Sequence, residues 1–275
     1  MQIVLTIAGF DPSSGAGVTA DLMVFAAHGL FGTSAITSLT VQSTLGVVSS
    51  HPVDAVVLAE TLRCLDTDVP PAGIKIGMLA TAENVRAVVA CLAVLRGREP
   101  HLPVVLDPVL RSSSGRELLD AEGTRLLRER LLPLVDWVTP NLDELALLSG
   151  EAVRGRDEMV AAAEVLRRGI GGGRVHVLAK GGHLEGAGSP DLLLTRDGEA
   201  SWLEGERVQT RATHGTGCAL SSALLSRLVL GDAPRVAAQG AKVYVSEAMR
   251  RAEVIGHGRG PMNHLWPLRA DLPRG

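Results

Sequence analysis

Apolar and polar positions along the chain fall into two periods, short runs of strand type and longer stretches of helical type. Residues 3–8, 72–77, 103–107, 133–138 and 175–179 are brief apolar runs closed or followed by a polar or turn residue, as buried strands are. Residues 32–42 are rich in small and β-branched side chains and lead into the polar Gln42-Ser43-Thr44, which predicts another strand. Between these runs, residues 18–28, 54–66, 81–95, 113–132, 151–168 and 233–251 carry the helical pattern. Asn141, directly behind Pro140, reads as the N-cap of a further helix. Residues 191–195 and 201–208 alternate around Asp197-Gly198, which predicts an edge hairpin. The alternation of strands and helices predicts a doubly wound α/β fold with a central, mostly parallel sheet. Polar residues that follow its strands would converge on the carboxyl edge of the sheet, where such folds bind ligands.

The stretch that organises the chain is Thr213-His214-Gly215-Thr216-Gly217-Cys218, followed by Leu220, Ala223, Leu224 and Leu228 at helical spacing and by Gly231 as a stop. Its glycines would form the entry turn of a helix, whose first amides have no internal acceptor and favour an anion. Cys218 would stand at the positive end of that helix, a setting expected to lower a thiol pKa and yield a base or nucleophile. A Gly-rich loop with a packed cysteine beneath it is the plainer alternative.

Composition narrows the classes. A chain of 275 residues with 46% hydrophobic and 3% aromatic residues fits one large α/β domain with an Ala/Val/Leu core. No Pro/Ser-rich linker divides residues 1–275, so a single domain is expected. A net charge of −3 gives no basic footprint for nucleic acid. No signal-peptide pattern or long apolar run is present, which predicts a soluble, cytoplasmic protein without a membrane partner. The three cysteines lack metal-ligand spacing, and Cys64 and Cys91 read as core thiols.

Residues 15–20 match the dinucleotide fingerprint G-x-G-x-x-G/A. Six residues separate those glycines from the strand, and no acidic residue occurs from 34 to 53 to hold a ribose. A nicotinamide cofactor is therefore rejected. Gln42 at a strand end can both donate and accept, which suits a heteroaromatic ring bearing an amine. Asp107 closes a buried strand where a carboxylate is costly. Lys180 follows a strand beside two glycines, and can reach a phosphate.

Gly215-Thr216-Gly217-Cys218 resembles the anion-hole motif of the ribokinase superfamily, in which Gly-x-Gly-Asp is the commoner form. Cysteine in the Asp position resembles the branch of hydroxymethylpyrimidine and phosphomethylpyrimidine kinases of thiamine biosynthesis. Residues 8–47, the KIGML run at 75–79, Asn141 to Glu144 and the Gly/His-rich tail at 256–264 carry the same resemblance. Phe10 stands where that family usually has serine. The resemblance implies a ribokinase-like α/β/α fold, ATP with Mg²⁺, and a homodimer. It places Gly9, Asp21, Gln42, Met78 and Val109 on the pyrimidine. It places Asn141, Lys180, Thr213, Gly215 and Gly217 on the nucleotide, and Asp107 and Glu144 near the metal. Gly215, Gly217, Lys180 and Cys218 would carry catalysis, with Cys218 accepting the hydroxyl proton. The expected reaction is phosphorylation of 4-amino-5-hydroxymethyl-2-methylpyrimidine and of its monophosphate. A pyridoxal kinase and a non-catalytic pyrimidine sensor are the alternatives. The tail histidines are assigned no role.

Overall fold

The computed structural model describes residues 1–111, 115–170, 173–182, 184, 186 and 188–268. Nine strands form one sheet: β1 (Ile3–Phe10), β2 (Phe31–Ser43), β3 (Gly46–Pro52), β4 (Ile74–Ile76), β5 (Val104–Leu106), β6 (Trp137–Val138), β7 (His176–Ala179), β8 (Asp191–Leu194) and β9 (Ala200–Leu203). Their order is β3-β2-β1-β4-β5-β6-β7-β8-β9. The inner strands β2, β1, β4, β5, β6 and β7 run parallel, while β2–β3, β7–β8 and β8–β9 are antiparallel pairs. The sheet is therefore mixed, with hairpins at both edges. The hairpin around Gly198, at φ 89°, matches the turn expected from Asp197-Gly198. Strand β3 has no counterpart in the sequence reading, because Ser49, Ser50 and His51 break its apolar pattern.

The helices are α1 (Gly17–Ala27), α2 (Ala55–Asp68), α3 (Ala82–Arg98), α4 (Ala121–Leu126), α5 (Leu142–Ser149), α6 (Arg156–Gly169), α7 (Thr216–Val229) and α8 (Pro234–Arg250). Side chains alternate across a strand, and this sorts the core into two layers. Val104 and Leu106 join one cluster, with Leu58, Val88, Leu145 and Met159 of α2, α3, α5 and α6. Val105 joins the other, with Phe25, Leu224 and Ala241 of α1, α7 and α8. Helices thus cover both faces of the sheet.

Several boundaries shift for local reasons. Asp54 and Thr81 cap α2 and α3 with their side chains, at 2.7 and 3.2 Å from the Val56 and Asn84 amides. The helix expected over 113–132 is shorter. Residues 112–114 lie outside the described residues, and α4 begins only at Ala121, behind its cap Asp120. It runs on through a wider turn at Leu127–Leu131 and a tight one at Leu132–Leu134, so the strand expected from 133 is reduced to Trp137–Val138. The helix expected from 151 starts at Arg156. Cys64 is exposed rather than a core thiol, and Cys91 is half-buried. Among the described residues, no helix is long and apolar enough to cross a membrane.

Candidate active site

The carboxyl ends of β1, β4, β5, β6 and β7 meet the N-termini of α1, α5 and α7, and there the candidate residues gather. Asp107 follows β5 and Lys180 follows β7. Lys180 Nζ donates to Asp107 Oδ1 at 2.7 Å and lies 3.8 Å from Glu144 Oε2. Thr139, just past the end of β6, supports Asp107, its hydroxyl donating to Oδ1 at 3.2 Å. Asn141 and Glu144 form a reciprocal capping box: Asn141 Oδ1 accepts from the Glu144 amide at 2.9 Å, and Glu144 Oε2 accepts from the Asn141 amide at 2.8 Å. Both the capping reading and the site reading of Glu144 therefore have geometry behind them. Burial pushes the Glu144 carboxyl up to about 7, against the pull of Lys180.

Gly215 caps α7 at φ 79°, and a methyl group there would lie 1.8 Å from the Gly15 carbonyl oxygen. Only glycine fits both constraints. A methyl on Gly217 would lie 3.0 Å from Lys180 Nζ and 3.4 Å from Asp107 Oδ2, so the first turn of α7 faces that ion pair. Bare amides, a helix dipole and an ammonium therefore point at one place, an arrangement that holds phosphate oxygens. Thr213, partly exposed, precedes this turn.

Cys218 overturns one expectation. The helix end was expected to lower its thiol pKa, yet burial pushes the thiol up to about 11. Lys75 and the Gly17 amide pull it down, while Asp21 and Asp107 push it up. Desolvation outweighs the pull of Lys75 and of the Gly17 amide, although the residue keeps part of its surface exposed.

A second cluster sits at the ends of β1 and β2. Gly9 is buried, and a methyl there would meet Met78 Sδ at 3.1 Å. Met78 and Val109 are partly exposed on the neighbouring loops, with the Met78 carbonyl fixed by Thr37 Oγ1 at 2.5 Å. Gln42, near the end of β2, has its amide nitrogen 2.8 Å from His214 Nε2. The same ring nitrogen is 2.7 Å from Asp11 Oδ2. Asp11 also accepts from the amide and hydroxyl of Ser13, at 2.9 and 2.7 Å, and from the Ala16 amide at 2.9 Å. Burial raises the Asp11 pKa, but the hydrogen bonds from His214 and Ser13 outweigh it and hold this carboxyl below its usual value. His214 Nε2 thus meets both Asp11 Oδ2 and the Gln42 amide nitrogen, while Gln42 Oε1 accepts from Thr40 Oγ1 at 3.4 Å.

Asp21 is placed differently from the rest. It is fully buried under α1, with Oδ2 taken by Thr6 Oγ1 at 2.6 Å and Lys75 Nζ at 2.8 Å, and Oδ1 by Ser222 Oγ at 2.7 Å. Its carboxylate is thus taken up by Lys75, Thr6 and Ser222 rather than presented to a ligand. Asp11, His214 and Lys75 are residues that the sequence reading passed over. Asp-Pro-Ser-Ser is an Asx-turn signature, and a lysine inside an isoleucine-flanked strand is rare enough to have been a signal. The tail also has a place. Gly258 and Arg259 amides bond Thr44, and the His214 amide donates to the Gly260 carbonyl at 3.2 Å, so this segment braces the β2–β3 turn against the approach to α7.

Among the described residues no cluster of three or more His, Cys, Asp or Glu could hold a metal. Two carboxylates near an anion site still suit Mg²⁺, which needs only one or two when it arrives with phosphates.

The family model described as phosphomethylpyrimidine kinase matches residues 11–263. The hydroxymethylpyrimidine/phosphomethylpyrimidine kinase of Haemophilus influenzae is 39% identical over 264 residues, covering 95% of this chain and 96% of that protein. A thiamine biosynthesis multifunctional protein of Corynebacterium efficiens is 42% identical over 98% of this chain, which spans only 36% of that longer protein. Among solved structures, an ADP complex of Bacillus subtilis pyridoxal kinase superposes with a TM-score of 0.86 at 29% identity, covering 98% of this chain and 100% of that one. The fold is thus that of the ribokinase-like kinases. With the family model spanning nearly the whole chain and a kinase matched almost end to end, the chain belongs to the phosphomethylpyrimidine kinase family.

Proposed function

We propose that residues 1–275 act as one kinase domain that moves the γ-phosphoryl group of ATP to the hydroxymethyl group of 4-amino-5-hydroxymethyl-2-methylpyrimidine, and then a second to the monophosphate. The observation that carries this reading is the first turn of α7 set against Lys180 and Asp107, with Gln42 beside it through His214. Phosphoryl transfer asks mainly for positioning and charge neutralisation. The amides of Gly215, Gly217 and Cys218 hold the charge that develops on the transferring group. Lys180 binds the nucleotide phosphates, with Asn141 and Thr213 lining the same side. Gln42, Gly9, Met78 and Val109 hold the ring, and Asp21 supports that side from beneath. Mg²⁺ fits near Asp107 and Glu144, where it would neutralise phosphate charge. Cys218 takes the hydroxyl proton when its sulfur is ionised.

Leu39, Val41, Leu45 and Val48 are exposed on the β2–β3 hairpin at an open sheet edge. This strip supports the homodimer reading.

The test is to incubate the protein with ATP, Mg²⁺ and the pyrimidine, and to count phosphates on the product by mass. One and then two phosphates are expected. Turnover of pyridoxal with none of the pyrimidine would transfer the reading to vitamin B6. Pyrimidine binding with no turnover of either would make the protein a sensor.

A further inference from the structure

Lys75 lies at the centre of β4, between Ile74 and Ile76, and its side chain is fully buried. Those two isoleucines enter the layer shared with α2 and α3. Alternation along the strand therefore sends Lys75 to the opposite face, beneath α1 and α7. Its register partner on β5 is Val105, which packs into the apolar cluster on that face. A valine-like residue at position 75 would serve the fold at less cost, since a buried ammonium must recover its lost hydration.

The ammonium is held in place rather than merely tolerated. Its hydrogen bond runs to Asp21 Oδ2 at 2.8 Å. Asp21 is itself fixed by Thr6 of β1 and Ser222 of α7, so the pair joins β1, α1, β4 and α7. Gly77 leaves the space that Nζ occupies, because a methyl group there would lie 2.9 Å from it. Lys75 has three donors, and Asp21 takes one of them. Ser222, which holds Asp21, lies one turn beyond Cys218 on the same face of α7, so the pair sits beneath the turn that carries the thiol. The charged groups that act on that thiol are Lys75 from β4, Asp21 from α1, Asp107 from the end of β5 and Lys180 from the end of β7. Lys75 exerts the largest attraction among them.

We propose that Lys75 is a positioning residue of the transfer site, its ammonium anchored on Asp21 as the fixed counter-charge of the Cys218 sulfur. The inference rests on the reading of Cys218 as proton acceptor. In that step the substrate O–H bond breaks and an S–H bond forms. The oxygen pair attacks the γ-phosphorus, and the bond to ADP breaks with its electrons leaving on ADP. Sulfur goes from anionic to neutral, so a nearby ammonium stabilises the state that must exist before transfer. A thiol near 11 is ionised in only about one molecule in ten thousand at pH 7. Without Lys75 that fraction shrinks further.

The test uses full-length protein carrying Cys64→Ser and Cys91→Ser, which leaves Cys218 as the single thiol. Alkylation by iodoacetamide is followed by mass against pH, with no ATP or pyrimidine present. Lys75→Met should move the midpoint upward by a unit or more, slowing alkylation at pH 9 about tenfold. Its kcat should fall similarly, with KM for ATP unchanged. Gly77→Ala keeps both charges but displaces the ammonium, and should shift the midpoint the same way by less. If Lys75→Met does not fold, Gly77→Ala decides. A parent-like alkylation profile in the folded variant overturns the proposal. Because the titration needs no turnover, it separates this inference from the base reading, which falls only if Cys218→Ser keeps full activity.

Discussion

Lys180 Nζ and Asp107 Oδ1 stand 2.7 Å apart, although 73 positions separate them in the chain. They sit at the ends of β5 and β7, with β6 between them, and Glu144 approaches the same ammonium. One lysine thus serves two buried carboxylates, and in the proposed reaction it would exchange them for phosphate oxygens. Lys180→Met should raise KM for ATP about ten- to hundredfold, as expected for a lost charge-assisted contact of ~1.5–3 kcal/mol. Pyrimidine affinity should change little. Isothermal titration with each ligand checks this, and an unchanged ATP affinity would remove Lys180 from the nucleotide site.

Gln42 offers a second test, because its amide contacts His214, which Asp11 holds in place. Gln42→Leu leaves ring polar groups unpaired on binding, and should weaken the pyrimidine by ~1–3 kcal/mol with ATP affinity intact. Asp11→Asn should weaken it less, since the amide persists but loses its fixed orientation. Equal losses for both ligands would point to damage of the fold instead.

At Cys218 the thiol and the backbone amide can be separated. Cys218→Ser keeps the amide but removes the ionisable thiol, and should slow turnover about 10²–10⁴-fold. Cys218→Asp restores an ionisable base and should recover part of the loss. Both variants should still bind ATP. A serine variant as fast as the parent would leave only the amide at work.

Acid should destabilise the protein through buried histidines. Burial, with Arg196 nearby, holds His176 down to about 4, and burial lowers His28 and His264 as well. These rings stay neutral in the folded chain, while the unfolded chain takes up protons near pH 6.5. The contribution of His176 to stability is therefore complete above about 6.5 and is lost as pH falls through that value toward 4, by up to ~1.4 kcal/mol per pH unit, with His264 and the half-buried His28 acting in the same direction. The Tm should fall between pH 7 and pH 5. His176→Phe keeps a ring to stack on Trp137 and should flatten that slope while lowering Tm at pH 7, since the Arg196 amide loses its acceptor. A Tm independent of pH over this range would contradict the assignment.

Local pattern was enough for the alternation of strands and helices, for the Asp197-Gly198 turn, and for the glycine turn that opens α7 at Gly215. Each of these depends on neighbours within a few residues: side-chain period, a left-handed glycine, an N-cap. The site residues that follow strands were legible for the same reason, since a polar residue closing an apolar run is visible in one dimension. Strand β3 was not legible, because its polar residues disguise a strand that exists only by pairing with β2. The Lys75–Asp21 pair, the sharing of His214 between Asp11 and Gln42, and the raised thiol of Cys218 were decided by tertiary structure alone. Their partners lie 54, 203 and 172 positions apart, and the thiol depends on how much packed protein surrounds it. Sequence shows which groups can ionise, whereas their charge state depends on desolvation and on charges brought near by folding.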